Sequence, residues 1–194
     1  MENVTKEEFL KQLEDSRLSL SRFTRAMARD YDDAKDLMSE TILKAYEGYE
    51  KLESKQAFQS YLFTIASRLH KRRIWRNKLF IPFSSTTHQD YQSVNPNAEV
   101  NLDIEILYKA LNKLELKKRE AITLFEISGF SIEEIADIQG GSVSGVKSRL
   151  KRGREELVKL LKVKDEPKFF LHNINENTKQ TKSVDGLYTA KVKL

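Results

Sequence analysis

Apolar residues recur at three- and four-residue steps through most of this chain, and little interrupts them. Only 7 Gly and 3 Pro stand among its 194 residues. A β sandwich or barrel needs a turn every few residues and does not fit that scarcity; long helices do. The sequence has no Cys, which excludes a disulfide scaffold, a thiol nucleophile and thiolate zinc or iron–sulfur sites. Its three His, at positions 70, 88 and 172, are far apart and lack ligand spacing, so no metal and no cofactor is expected. No stretch approaches the roughly 18 apolar residues of a membrane span, and the N-terminal residues lack a signal peptide's apolar run. A cytoplasmic protein with no membrane insertion is expected. The net charge of +5 makes nucleic acid a candidate partner.

The periodicity predicts an all-α chain of two small helical domains joined by a flexible linker. Leu10, Leu13 and Leu20 open the first domain. Ala34, Met38, Thr41, Ile42, Ala45 and Tyr49 then fall on one stripe of a second helix, with Asp33, Asp36, Glu40, Leu43 and Glu47 opposite. A third helix carries Phe58, Tyr61, Leu62, Ile65, Ala66 and Leu69, after which Arg72, Arg73 and Arg76 take over the apolar positions. The segment around Ser84–Thr87 and Asn95–Asn97 has no period, and a structureless stretch of that length is unusual inside one compact domain. The expected organisation is a first domain at 1–77, a linker at 78–100, a second domain at 101–163 and a tail at 164–194 of underived role. That tail is expected to be dispensable for folding of the second domain.

The second domain is expected to hold four helices, the last two forming a helix-turn-helix. Ser131 and Glu134 make a capping box, Gln139-Gly140-Gly141 is the turn, and Ser142 caps a final helix whose inward stripe is Val146, Leu150, Gly153, Leu157 and Leu161. Ser144, Gly145, Ser148, Lys151 and Arg152 then face outward, with Lys147, Arg149 and Arg154 flanking the stripe. Short polar side chains near the start of a recognition helix can approach base edges, while long basic ones bracket phosphates. Any amphipathic helix can carry a solvated basic face; the capping box, the glycine turn and the basic cluster together point to DNA.

A second basic run, Arg68, Lys71, Arg72, Arg73, Arg76 and Lys78, surrounds Trp75 with no acid between them. Its cations suit phosphates, and Trp75 either stacks on an unpaired base or packs on the core. The acidic face of the second helix is either plain solvated surface or a protein-docking face.

In this order the segments resemble the sigma-70 family of bacterial sigma factors, in its two-domain extracytoplasmic-function group. Tyr31–Thr41 is similar to a DAEDLVQET-type segment of region 2, and Phe58–Ala66 to the F-x-x-W/Y-L-F-x-I-A segment that follows. Ala110–Leu114, Arg119-Glu120, Gly129–Ala136 and Val146–Arg154 are similar to region 4. The resemblance spans about Leu20 to Lys162. It implies a promoter-specificity subunit without catalytic residues. Region 2 would grip the polymerase beta-prime subunit through Asp33, Asp36, Leu37 and Glu40. The end of region 2, with Arg68, Lys71, Arg72, Arg73, Trp75 and Arg76, would open the downstream promoter box and read it as single strand. Region 4 would dock on the beta subunit and read the upstream box as duplex through Ser142, Ser144, Gly145, Lys147, Ser148, Arg149, Lys151, Arg152 and Arg154. Core RNA polymerase and promoter DNA are the implied partners, and an anti-sigma factor is a further candidate. The competing class is a stand-alone helix-turn-helix regulator with a helical sensor, which has no need of the Arg68–Lys78 cluster. A recombinase is disfavoured, since the first half offers no activated nucleophile.

Overall fold

The computed structural model describes residues 2–52, 54, 57–80 and 98–161, and every described element is helical. The first half consists of α1 (Glu2–Met27), α2 (Tyr31–Gly48) and α3 (Phe58–Phe80), with a short 3₁₀ turn at Tyr49–Lys51. The second half consists of α4 (Ala98–Lys113), α5 (Leu116–Ile122), α6 (Ile132–Gln139) and α7 (Val143–Leu161), α5 running on into a π-helical turn at Thr123–Ile127. Most of the expected linker and the whole of the expected tail, including Lys164 and Phe169–Leu171, lie outside the described residues. Among the described residues no helix is long and apolar enough to cross a membrane.

Local chemistry sets the helix ends. The Asp30 side chain accepts from the Asp33 N–H at 2.8 Å, and Asp33 Oδ2 accepts from the Arg29 N–H at 3.1 Å, closing a reciprocal cap on α2. The capping box on α6 forms as its sequence predicts: Glu134 N–H donates to Ser131 Oγ at 3.2 Å and Ser131 N–H to Glu134 Oε2 at 2.8 Å. Gly140 ends α6 at φ 67°, a left-handed conformation that costs glycine little.

Apolar stripes then pack the helices into pairs. In the first half Phe9, Tyr46, Tyr49 and Phe58 meet edge-to-face with ring centroids 5.1 to 5.6 Å apart. In the second half the buried residues of α7 are the predicted Val146, Leu150, Gly153, Leu157 and Leu161. Gly153 is needed for close approach, because a Cβ there would lie 2.7 Å from Ile122 Cδ1 on α5. In α2 the buried set is Ala34, Leu37, Thr41 and Ala45, while Met38 and Ile42 are only partly covered. In α1 Leu20 is buried as expected, but Leu10 is half exposed and its neighbour Phe9 is the core residue.

The two halves also pack on one another. α3 lies against α6, and α1 against α4, α5 and the π turn. Phe63 on α3 touches both Phe23 of α1 and Phe130 of the second half, with centroids at 5.2 and 4.8 Å. Arg25 Nη2 donates to both Glu105 oxygens at 2.9 and 3.2 Å, and the guanidinium lies 5.3 Å from the centre of the Tyr108 ring. The stripe read along α3 therefore widens: Phe63, Ser67 and His70, at four- and three-residue steps, form a second buried face covered by the other half.

Candidate nucleic-acid and protein interfaces

The recognition helix presents its base-reading candidates outward. The Ser142 hydroxyl caps α7 by accepting from the Gly145 N–H at 3.2 Å. Ser144, Lys147, Lys151 and Arg152 are exposed, and Lys147, Ser148, Lys151, Arg152 and Glu155 rim one surface depression. Lys147, expected beside the core stripe, thus shares the open face. Two of the nine helix-turn-helix candidates, both half-buried, pair with side chains of other helices. Arg149 Nη1 donates to Gln139 Oε1 at 2.6 Å, its guanidinium lying over Gly141 and Gly145, where side chains would meet it. Arg154 pairs with Glu126 at 2.6 Å and covers the Phe125 ring at 5.2 Å. Both arginines fold back because each finds an acceptor within one side-chain length.

The basic end of α3 divides in the same way. Arg68, Arg72, Trp75 and Arg76 are exposed, and at 64% exposure Trp75 is not a core residue. Arg73 is drawn onto α2, binding Asp33 Oδ1 at 3.0 Å and Glu40 Oε2 at 2.7 Å. Arg73, expected at the DNA surface, and Asp33 and Glu40, expected at the polymerase surface, are thus paired with one another. Leu37, at 1% exposure, lies in the core between α2 and its neighbours. Asp36 stays on the surface, with Leu43 and Glu47 exposed further along the helix.

Lys71 points into the seam between the halves, where its ammonium lies 3.3 Å from Glu120 Oε2. Glu120 is wholly buried, and its carboxylate also accepts from the Ser67 hydroxyl and from Gln139 Nε2 at 2.9 Å. Gln139 Nε2 further donates to the Lys117 carbonyl at 3.0 Å. Polar groups thus run without a break from Arg149 on α7 through Gln139 and Glu120 to Lys71 on α3. Beside them Arg119 donates to the Met27 carbonyl at 3.4 Å and to Asn112 Oδ1. Sequence reasoning met Glu120 only as part of a family resemblance. The available signal was the Phe63, Ser67, His70 spacing on α3, which marks a second buried face.

His70 is buried in this seam with Nε2 unpartnered. Burial lowers its pKa to about 4, helped by Arg119 of α5 and by Arg73 and Lys71 of α3, and opposed by Asp33 of α2. The unfolded chain, with a pKa near 6.5, binds this proton more readily than the folded one. Stability is therefore full above pH 6.5 and falls as the pH drops toward 4. Between pH 6.5 and pH 5 the loss is expected to be about 2 kcal/mol. Urea titrations at the two pH values test this, because His70→Gln should abolish most of the difference; an equal difference in the variant would place the titration elsewhere.

A capped helix-turn-helix with an open basic face, together with a second exposed basic surface bearing a tryptophan, defines a nucleic-acid-binding protein of the helical class. Residues 14–79 match the model of Sigma-70 region 2, and residues 104–157 that of Sigma-70, region 4. The chain is 31% identical over 145 residues to the ECF RNA polymerase sigma factor EcfG of Rhodopseudomonas palustris (strain TIE-1), covering 75% of this chain and 80% of that protein. Among solved structures it is similar to the sigma factor RpoE in complex with the anti-sigma factor NepR from Bartonella quintana. That match has TM-score 0.61 and 31% identity, covering 82% of this chain and 98% of the other. The fold is also similar to that of CnrH in complex with the cytosolic domain of CnrY, at TM-score 0.62 and 22% identity over 81% and 89% of the two chains. The chain belongs to the extracytoplasmic-function sigma factors of the sigma-70 family. Its function is the family's: it directs RNA polymerase to specific promoters and helps open the DNA for initiation.

Proposed function

We propose that the two exposed basic surfaces divide this work. The open face of α7, carrying Ser144, Lys147, Ser148, Lys151 and Arg152, binds the upstream promoter box as duplex. The end of α3, with Arg68, Arg72, Trp75 and Arg76, binds the downstream box as single strand. Asp36 and its exposed neighbours on α2 contact the polymerase beta-prime subunit, and the second half contacts the beta subunit. No residue of the chain is catalytic, and the protein works in the cytoplasm. An anti-sigma factor is a further partner, in keeping with the solved sigma factor RpoE captured with the anti-sigma factor NepR. The observation that carries the reading is Trp75, a large indole left 64% exposed among cations, where an unpaired base can stack.

Reconstitution with core RNA polymerase tests it. The protein should confer initiation at a defined start, and Trp75→Ala should reduce permanganate reactivity of promoter thymines while leaving closed-complex binding in a gel shift nearly unchanged. Normal strand opening by the variant would remove Trp75 from the site. Failure to confer any defined start would overturn the assignment of the two surfaces.

A further inference from the structure

We propose that Glu120 is a latch that occupies Lys71 in the closed protein, and that single-stranded DNA taking Lys71 from it loosens the seam between the halves. This rests on the reading of the α3 end as a nucleic-acid surface. Lys71 stands one turn from exposed Arg68 and Trp75 on the same helical face, yet its ammonium is held 3.3 Å from a carboxylate of the other half. A carboxylate oxygen in that position does what a phosphate oxygen would do. Glu120 therefore competes with nucleic acid for this cation.

The competition has a structural consequence. The Glu120 side chain is 1% exposed, and Lys71 is its partner in an ion pair. Its other two contacts, Ser67 and Gln139, are neutral donors. A buried carboxylate that loses its cation is strongly disfavoured, because hydrogen bonds to neutral groups compensate the desolvation only in part. Removing Lys71 toward a phosphate thus favours hydration of Glu120, and hydration requires α3 to part from α5 and α6. The seam is suited to such opening: Ser67, His70, Lys71, Arg119 and Glu120 interrupt its apolar contacts, and His70 Nε2 has no partner there. Because coupling is reciprocal, whatever holds the halves apart also raises the affinity of α3 for nucleic acid.

The test uses the full chain and a short single-stranded DNA oligonucleotide. Glu120→Gln keeps the shape and removes the competing charge; its amide oxygen can accept from Gln139 while its NH2 donates to the Ser67 hydroxyl. By fluorescence anisotropy it should bind the oligonucleotide about five-fold more tightly, the scale of one partly exposed ion pair. That gain should vanish in a Lys71→Ala background. The chain lacks Cys, so Ser39→Cys on α2 and Glu133→Cys on α6, both exposed, accept spin labels selectively. The distance between the labels should lengthen when the oligonucleotide saturates the otherwise native protein. Unchanged or weaker binding by Glu120→Gln, a gain that persists without Lys71, or a constant distance would each overturn the latch. If Glu120→Gln does not fold, the distance measured without it decides alone. Arg72→Ala and Trp75→Ala separate the two levels of inference. If they weaken binding while Glu120→Gln does not strengthen it, the latch fails and the α3 surface stands. If they bind as the parent does, both fail.

Discussion

A Phe63→Ala variant is expected to lose about 3–5 kcal/mol of stability, the range found when a fully buried phenylalanine is truncated. Phe63 has no exposed surface and sits between Phe23 and Phe130, so its ring joins α1 and α3 to the second half. Truncation removes two edge-to-face contacts and leaves a cavity lined from both halves, which cannot collapse without moving a helix. Equilibrium urea unfolding followed by far-UV circular dichroism measures the loss. Phe63→Leu should cost distinctly less, because most of the volume is retained. A Phe63→Ala loss below about 1 kcal/mol would mean that the halves are not packed through this residue in solution.

The second large effect is expected at the recognition helix. Replacing Lys151 and Arg152 together by alanine should weaken binding to the cognate upstream duplex by about 2–6 kcal/mol, if each reads a base edge at about 1–3 kcal/mol. Both are exposed on the rim of the α7 depression, so the fold should melt as before. Promoter preference should relax at the positions they contact. Lys147→Ala should instead weaken binding across sequences and reduce the salt slope by about one. Arg149→Ala is the informative contrast. Because Arg149 is held on Gln139, its loss should lower stability more than it changes the salt slope. Gel shifts over a salt series, on matched and scrambled duplexes, separate the three outcomes. Unaltered promoter binding by the double variant would remove the α7 face from the site.

The seam explains why part of the site could not be read along the chain. The α7 stripe, the Ser131–Glu134 box and the Gly140 turn depend on residues three or four positions apart or on a single backbone conformation. Such features are written locally and emerged as expected. The positions of exposed Lys151 and Arg152 were legible for the same reason, since each lies off a stripe that its own helix defines, whereas the sequence left Trp75 open between a base and the core.

What the sequence by itself determined is the all-α architecture, the helix-turn-helix and the placement of two basic segments on separate helices, because helical period and capping are short-range physics. Tertiary structure alone decided which cations remain available. Lys71, Arg73, Arg149 and Arg154 look like their exposed neighbours in composition and spacing. Their acceptors Glu120, Asp33, Glu40, Gln139 and Glu126 are contributed by other helices, between 10 and 49 positions away in the chain. The same holds for Leu37 and for the Phe63, Ser67, His70 face, whose burial depends on what packs against it. A charge's freedom to meet a phosphate depends on which acceptor folding brings within reach of it, and no local period encodes that distance.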